Sequence, residues 1–175
     1  MQSQQRWTRN LLASAVLVAV AAMSGTAAAG TATSNLPVSA TISANCTIDA
    51  SGGVAFGAYD PIVTNKTTAL TATGTISTTC TNGSSATITL GQGANAGTGS
   101  TAAAPIRRML AGTSNYLSYQ LYSNSGMTTV FDGSTGVGVT GTGSAVSTSV
   151  YGSVAAGQNV PAGSYSDTVV ATVAF

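Results

Sequence analysis

The closing stretch of the chain, PAGSYSDTVVATVAF, sets Tyr165, Val169, Ala171, Val173 and Phe175 at one parity and Ser166, Thr168 and Thr172 at the other, with Asp167 breaking the apolar set. A period of two marks a β-strand with one buried and one wet face. Pro161-Ala162-Gly163 opens the stretch as a turn, and the alternation then runs to the last residue, where most chains fray because nothing rewards order. A strand that stays regular to its end raises the question of what lies beside it.

The same pattern recurs upstream. No segment after residue 30 has helical periodicity, while β-branched residues and Gly-rich breaks return throughout. Strands are expected at Leu36 to Ile48, Leu70 to Cys80, Ala86 to Leu90, Leu117 to Tyr122, Thr128 to Phe131, Val146 to Val154 and Ser164 to Phe175. The patternless GQGANAGTGSTAAA between Gly91 and Ala104 reads as a long surface loop. Short strands separated by turns such as Asn82-Gly83 and Asp132-Gly133, with no repeat of fixed period, predict an all-β, Greek-key, immunoglobulin-like sandwich.

The N-terminus reads as an export signal over residues 1–29. Arg6 and Arg9 precede the apolar run Leu11 to Met23, and small residues end in Ala27-Ala28-Ala29. A membrane anchor is the competing reading, but a bilayer needs about 20 apolar residues and Ser24 and Gly25 end this run early. No lipid-spanning segment is then expected after cleavage. The remaining chain of about 145 residues is sized for one domain. It carries Lys66, Arg107 and Arg108 against Asp49, Asp60, Asp132 and Asp167, which leaves no basic patch for nucleic acid. So uncharged a surface does not rely on charge for solubility as a free monomer, and such surfaces are common where subunits pack into extracellular assemblies.

Chemistry has little to work with. The chain has no histidine, the commonest base for a Ser or Cys nucleophile at neutral pH. Four isolated aspartates, two of them in Asp60-Pro61 and Asp132-Gly133, look like turn residues rather than a catalytic pair. No enzyme activity and no cofactor are expected. Two cysteines without histidine leave zinc short of ligands, so no metal is expected either. Cys46 and Cys80, an even pair behind an export signal, read as a disulfide closing a loop of about 35 residues, worth roughly 4 kcal/mol in the chain-entropy model. Arg107-Arg108 reads as a solvated or carbonyl-bonded pair, with a subunit contact as the rival.

One apolar face is longer than a strand needs. In TSNLPVSATISANCTI, the residues Leu36, Val38, Ala40, Ile42, Cys46 and Ile48 share a parity, well beyond the usual five or six residues of a strand. Pro37 lacks a backbone donor, which confines that end to a sheet edge or to a place outside the domain's own ladder. The alternative is a long first strand packed within its own sandwich.

The blocks FGAYDP, GTISTTCTNG, RRML, LSYQLYSNS, VFDG and VYGSVAAGQNVPAGSYSDTVVATV resemble the spore coat protein U domain, which is similar to the subunits of archaic chaperone-usher pili. The resemblance covers about Leu36 to Phe175 and implies an incomplete immunoglobulin-like sandwich, completed by a donor strand from another subunit. It implies a donor extension at 30–42, with Leu36, Val38, Ala40 and Ile42 inserting, and a pilin domain at 43–175. In that domain the C-terminal strand, with Val169, Ala171, Val173 and Phe175, would wall the acceptor groove. Cys46 and Cys80 match the family's disulfide positions. The implied partners are identical or homologous pilin subunits, a periplasmic chaperone and an outer-membrane usher, and the implied location is the cell surface, reached through the periplasm. The expected function is a structural subunit of an adhesive pilus assembled by donor strand exchange. The alternatives are a monomeric secreted surface- or carbohydrate-binding sandwich and a spore coat structural protein.

Overall fold

The computed structural model describes residues 28–175, so residues 1–27 of the expected export signal lie outside the described residues. The chain divides into two units between Ala40 and Thr41. In the first, residues 28–40 are exposed and carry no strand. The second holds eight strands: β1 (Cys46–Asp49), β2 (Leu70–Cys80), β3 (Ser85–Leu90), β4 (Arg107–Ala111), β5 (Asn115–Tyr122), β6 (Val137–Thr140), β7 (Ala145–Val154) and β8 (Ala171–Ala174), with a single 3-10 turn at Thr64–Lys66.

The strands form two antiparallel sheets, one ordered β1-β2-β7-β5-β4 and the other β6-β3-β8. Long β2 and β7 make the spine of the larger sheet, pairing from Leu70↔Val154 to Thr79↔Ala145. Alternation decides which residues face the second sheet. Ile76 and Thr78 of β2, Val150 and Val154 of β7, and Leu117 and Leu121 of β5 are buried, and Ile88 and Leu90 meet them from β3. Cys46 and Cys80 are bonded to each other as direct register partners and tie edge strand β1 to β2.

Three expected strands differ, each for a local reason. The run Leu36 to Ile48 becomes a strand only at Cys46–Asp49, where β2 offers a partner ladder. Thr128 to Phe131 forms none beyond a lone bridge between Tyr122 and Val130, because the Asn124 side chain takes the N–H groups of Thr128 and Thr129 and closes a turn instead. Ser164 to Phe175 is divided between the sheets: Ser166 bridges Leu110 of β4, whereas Ala171–Ala174 pairs with β3. Strands β4 and β6 were not expected, since RRML carries two charges and VGVT only two apolar side chains.

The carboxylates set a simple pH response. N–H groups hold three of them below the ordinary aspartate range: that of Ser51 for Asp49, those of Ile62 and Val63 for Asp60, and first that of Thr135 for Asp132. A depressed pKa contributes stability that is complete above the unfolded value near 4 and is lost as pH falls through the folded one. Burial, and then the bond to Asp167, raises the Tyr119 phenol, so its contribution is complete below the ordinary phenol value near 10 and is lost above it. With no histidine in the chain, the melting temperature is expected to stay level from about pH 5 to 9 and to fall outside that window, as calorimetry across pH would read.

Candidate functional site

A groove of about 870 Å³, polar along its walls and apolar on its floor, opens within the second unit, between residues 50–61 on one side and 160–171 on the other. Its floor is the inner face of the larger sheet, with Met109, Leu117, Tyr119, Leu121, Val150 and Val154, and Leu90 contributes from β3. The strand order explains the opening. β8 pairs with β3 and has no ladder partner on its other side, and residues 50–59 form no ladder, so no strand among the described residues lies between the two walls.

Each wall is held by specific contacts. Residues 53–56 lie directly on the sheet because β2 and β7 present glycines there. A Cβ on Gly152 would stand 2.6 Å from the Phe56 ring, and one on Gly74 would collide with the Gly53 carbonyl oxygen. At the end of this wall the Asp60 carboxylate accepts from the N–H groups of Ile62 and Val63 at 2.9 and 3.1 Å, and the Asn65 side chain accepts from the Asp60 N–H at 2.9 Å. The turn is therefore rigid although Ile62 and Val63 are 66% and 72% exposed.

The opposite wall is pinned to both sheets. Leu110 and Ser166 exchange backbone hydrogen bonds of 2.8 and 3.1 Å, and the N–H groups of Gly91 and Ala94 donate to the carbonyls of Val170 and Thr168. Asp167 is the wall's central fastening. Its Oδ1 accepts from the Asn95 N–H, the Asn95 amide and the Thr168 N–H, and its Oδ2 accepts from the Tyr119 hydroxyl at 2.7 Å. The Tyr119 ring in turn meets Phe56 edge-on, centroids 6.0 Å apart. Phe56, Tyr119 and Asp167 thus link one wall, the floor and the other wall.

The expected site residues separate into three groups. Val169 and Ala171 line the groove, and Val173 packs against the core from β8. Phe175 shares their parity but is 57% exposed and not in the lining. Leu36, Val38 and Ile42 are 85%, 88% and 85% exposed, and Ala40 is exposed as well. Arg107 and Arg108 part company with their neighbourly sequence. Arg107 is 1% exposed and donates to the carbonyls of Leu90, Gly91 and Phe131 and to the Gln120 side chain. Arg108 reaches the carbonyls of Asn95 and Ala96 and lies 4.0 Å over the Tyr116 ring. Both are carbonyl-bonded. The stretch 50–61 supplies the FGAYDP block of the family resemblance but is not read from sequence as a groove wall, although Val54 and Phe56 at alternate positions are a usable signal.

Residues 32–172 match the Spore Coat Protein U domain. The chain belongs to that family. Among relatives, the chain is 44% identical over 178 residues to Protein U of Myxococcus xanthus, across 95% of this chain and 99% of that one. Its fold is similar to a chain in the crystal structure of the CsuC-CsuE chaperone-tip adhesion subunit pre-assembly complex from the archaic chaperone-usher Csu pili of Acinetobacter baumannii, with a TM-score of 0.52 and 19% identity. That match covers 77% of this chain and 40% of the other, and it is a likeness of fold. Membership in the spore coat U family makes the chain structural rather than catalytic. Among the described residues, no helix is long and apolar enough to cross a membrane.

Proposed function

We propose that this chain is the structural subunit of a surface fibre, and that residues 30–42 of one copy fill the groove of the next as an added strand. The observation that carries this reading is the apolar-floored groove beside the unpaired edge of β8, which offers main-chain groups for a ladder and pockets for alternate side chains. The occupant is argued from the chain's own composition. Residues 30–45 carry no charged side chain, and the groove's one carboxylate, Asp167, already accepts four hydrogen bonds, so no side chain on either side brings an unpaired charge into contact. Leu36, Val38 and Ile42 are exposed apolar residues at alternate positions, the pattern such pockets select. Burying all three would contribute roughly 5–9 kcal/mol before ordering costs.

The route that fits is export to the periplasm, protection of the open groove by a chaperone, and exchange for the next subunit at an outer-membrane usher. Support comes from the likeness to a subunit crystallised with its chaperone. Adhesion would then be a property of the assembled fibre. The family's description favours a second reading, a spore coat subunit, in which the same groove would join neighbours within a coat layer. A chain lacking residues 30–40 should still accumulate with its chaperone but form no fibres under electron microscopy. Fibres from the truncated chain would overturn the reading, and so would failure of the truncated domain to fold, because residues 30–40 would then belong to its own core.

A further inference from the structure

The groove is not uniform along its length. On one wall Tyr165, Asp167, Val169 and Ala171 line it at alternate positions, spanning about 20 Å at the rise of a strand. Leu36, Val38, Ala40 and Ile42 are four positions of the same period, three large and one small. Near Asp167 two rings meet over the floor, Phe56 lying over Gly152 and meeting Tyr119 edge-on, while Tyr119 donates to Asp167. Tyr119 is level with Val154, and Gly152 beneath Phe56 is level with Leu121, so on one side of these rings the floor is Met109 and Leu117 and on the other it is Val150. An inserted side chain therefore meets apolar pockets on both sides and a ring-filled neck between them.

Resting on the strand-addition reading above, we propose that the Phe56–Tyr119–Asp167 neck sets the register of assembly by admitting only a small side chain, and that Ala40 of the neighbouring copy is the residue it admits. The direction of the strand follows. With Ala40 at Asp167, an antiparallel insertion carries Leu36 towards Ala171, Val38 to Val169 and Ile42 towards Tyr165. The parallel insertion that fills the same four positions would press the larger Val38 on the neck. A separate observation agrees. Ile42 lies four residues before the first strand of its own domain, so the antiparallel strand brings the donating domain to the Tyr165 end of the groove. Pro61 and Val160 line the groove beyond Val154, and next to Pro61 the rigid turn holds Ile62 and Val63 exposed. Two exposed apolar side chains on a fixed turn are suited to meet a second copy there.

The test uses the full-length chain, exported and assembled by its own producing cells, with fibres quantified by microscopy and by multimers that resist detergent. Ala40→Leu lies outside the domain that must fold, and it is expected to cut assembly roughly 10- to 100-fold, the effect of overfilling a packed site. Ser39→Leu adds bulk on the outward parity and should leave assembly at the wild-type level. Phe56→Ala, which widens the neck, should restore much of the assembly of Ala40→Leu. If Phe56→Ala does not accumulate, cysteine cross-linking with the ring intact decides the register: Val38→Cys in one copy should capture Val169→Cys in another more efficiently than Ala40→Cys does. Equal assembly by Ala40→Leu and wild type would overturn the neck while leaving strand addition intact, as would preferred capture by Ala40→Cys. No multimers from the wild-type chain would overturn strand addition itself, and the neck with it.

Discussion

Arg107→Ala is expected to destabilise the domain by about 4–6 kcal/mol, most of the net stability of an ordinary domain of this size. The guanidinium is buried and satisfies the carbonyl oxygens of Leu90, Gly91 and Phe131 together with the Gln120 side chain. Those acceptors lie at the end of β3, in β5 and beside Asp132, so one side chain joins both sheets and the crossing between them. Alanine would leave a cavity and take the arginine donor from three carbonyls and from the Gln120 oxygen, which keeps only the Leu121 N–H. Burial draws the arginine pKa down, partly opposed by Tyr119, Asp132 and Asp167; a guanidinium is too basic to lose its proton in a protein, so its hydrogen bonds are charge-assisted. Arg108→Ala is the comparison. That side chain is only partly buried, bonds two loop carbonyls and stacks on Tyr116, and should cost about 1 kcal/mol. Urea unfolding of both variants would measure the contrast, and equal midpoints would show that the buried network contributes nothing special.

Val173→Asp is the second large effect, on the order of 4 kcal/mol, and it should remove most soluble protein from the producing cell. Val173 pairs with Ile88 in register and packs on the core, so a carboxylate there has no donor to receive it. Thr172→Asp, one residue earlier on the exposed face, should accumulate normally. Comparable yields of the two variants in a cell fractionation would mean that β8 presents the opposite face.

The parity that governs this pair was legible in the sequence, because alternation is a local property and β8 obeys it. For the same reason β2, β3, β5 and β7 were legible within a few residues. The route of the C-terminal segment was not. Nothing in SYSDTVVATVAF says that Ser166 belongs to one sheet and Ala171 to the other, since the switch depends on partners more than fifty residues away. The alternation at Leu36 to Ile42 was visible, whereas the absence of a ladder there reflects what the domain does not offer it. Asp167 read as a break in an apolar face. In the fold it is the fastening of a groove wall, which its neighbours in sequence could not reveal because Asn95 and Tyr119 come from other elements. The two arginines looked alike, and only packing separates a buried hub from a half-exposed clasp.

The disulfide has a mechanical meaning in any fibre joined through residues 30–42. Tension pulled along that segment enters the folded domain at Asn45, hydrogen-bonded to Thr81, and then at Cys46, the first residue of β1, and β1 is a four-residue strand at the sheet's edge. By hydrogen bonds alone such a strand would be the first to peel, and the rate of that rupture would set how long the fibre survives a load. The bond from Cys46 to Cys80 passes the force at once to the far end of β2, whose ten register pairs with β7 run along the middle of the larger sheet. Load is thereby moved from the weakest strand of the sheet to its strongest, so a fibre made without the oxidised pair would stretch at far lower force while keeping the same subunit contacts.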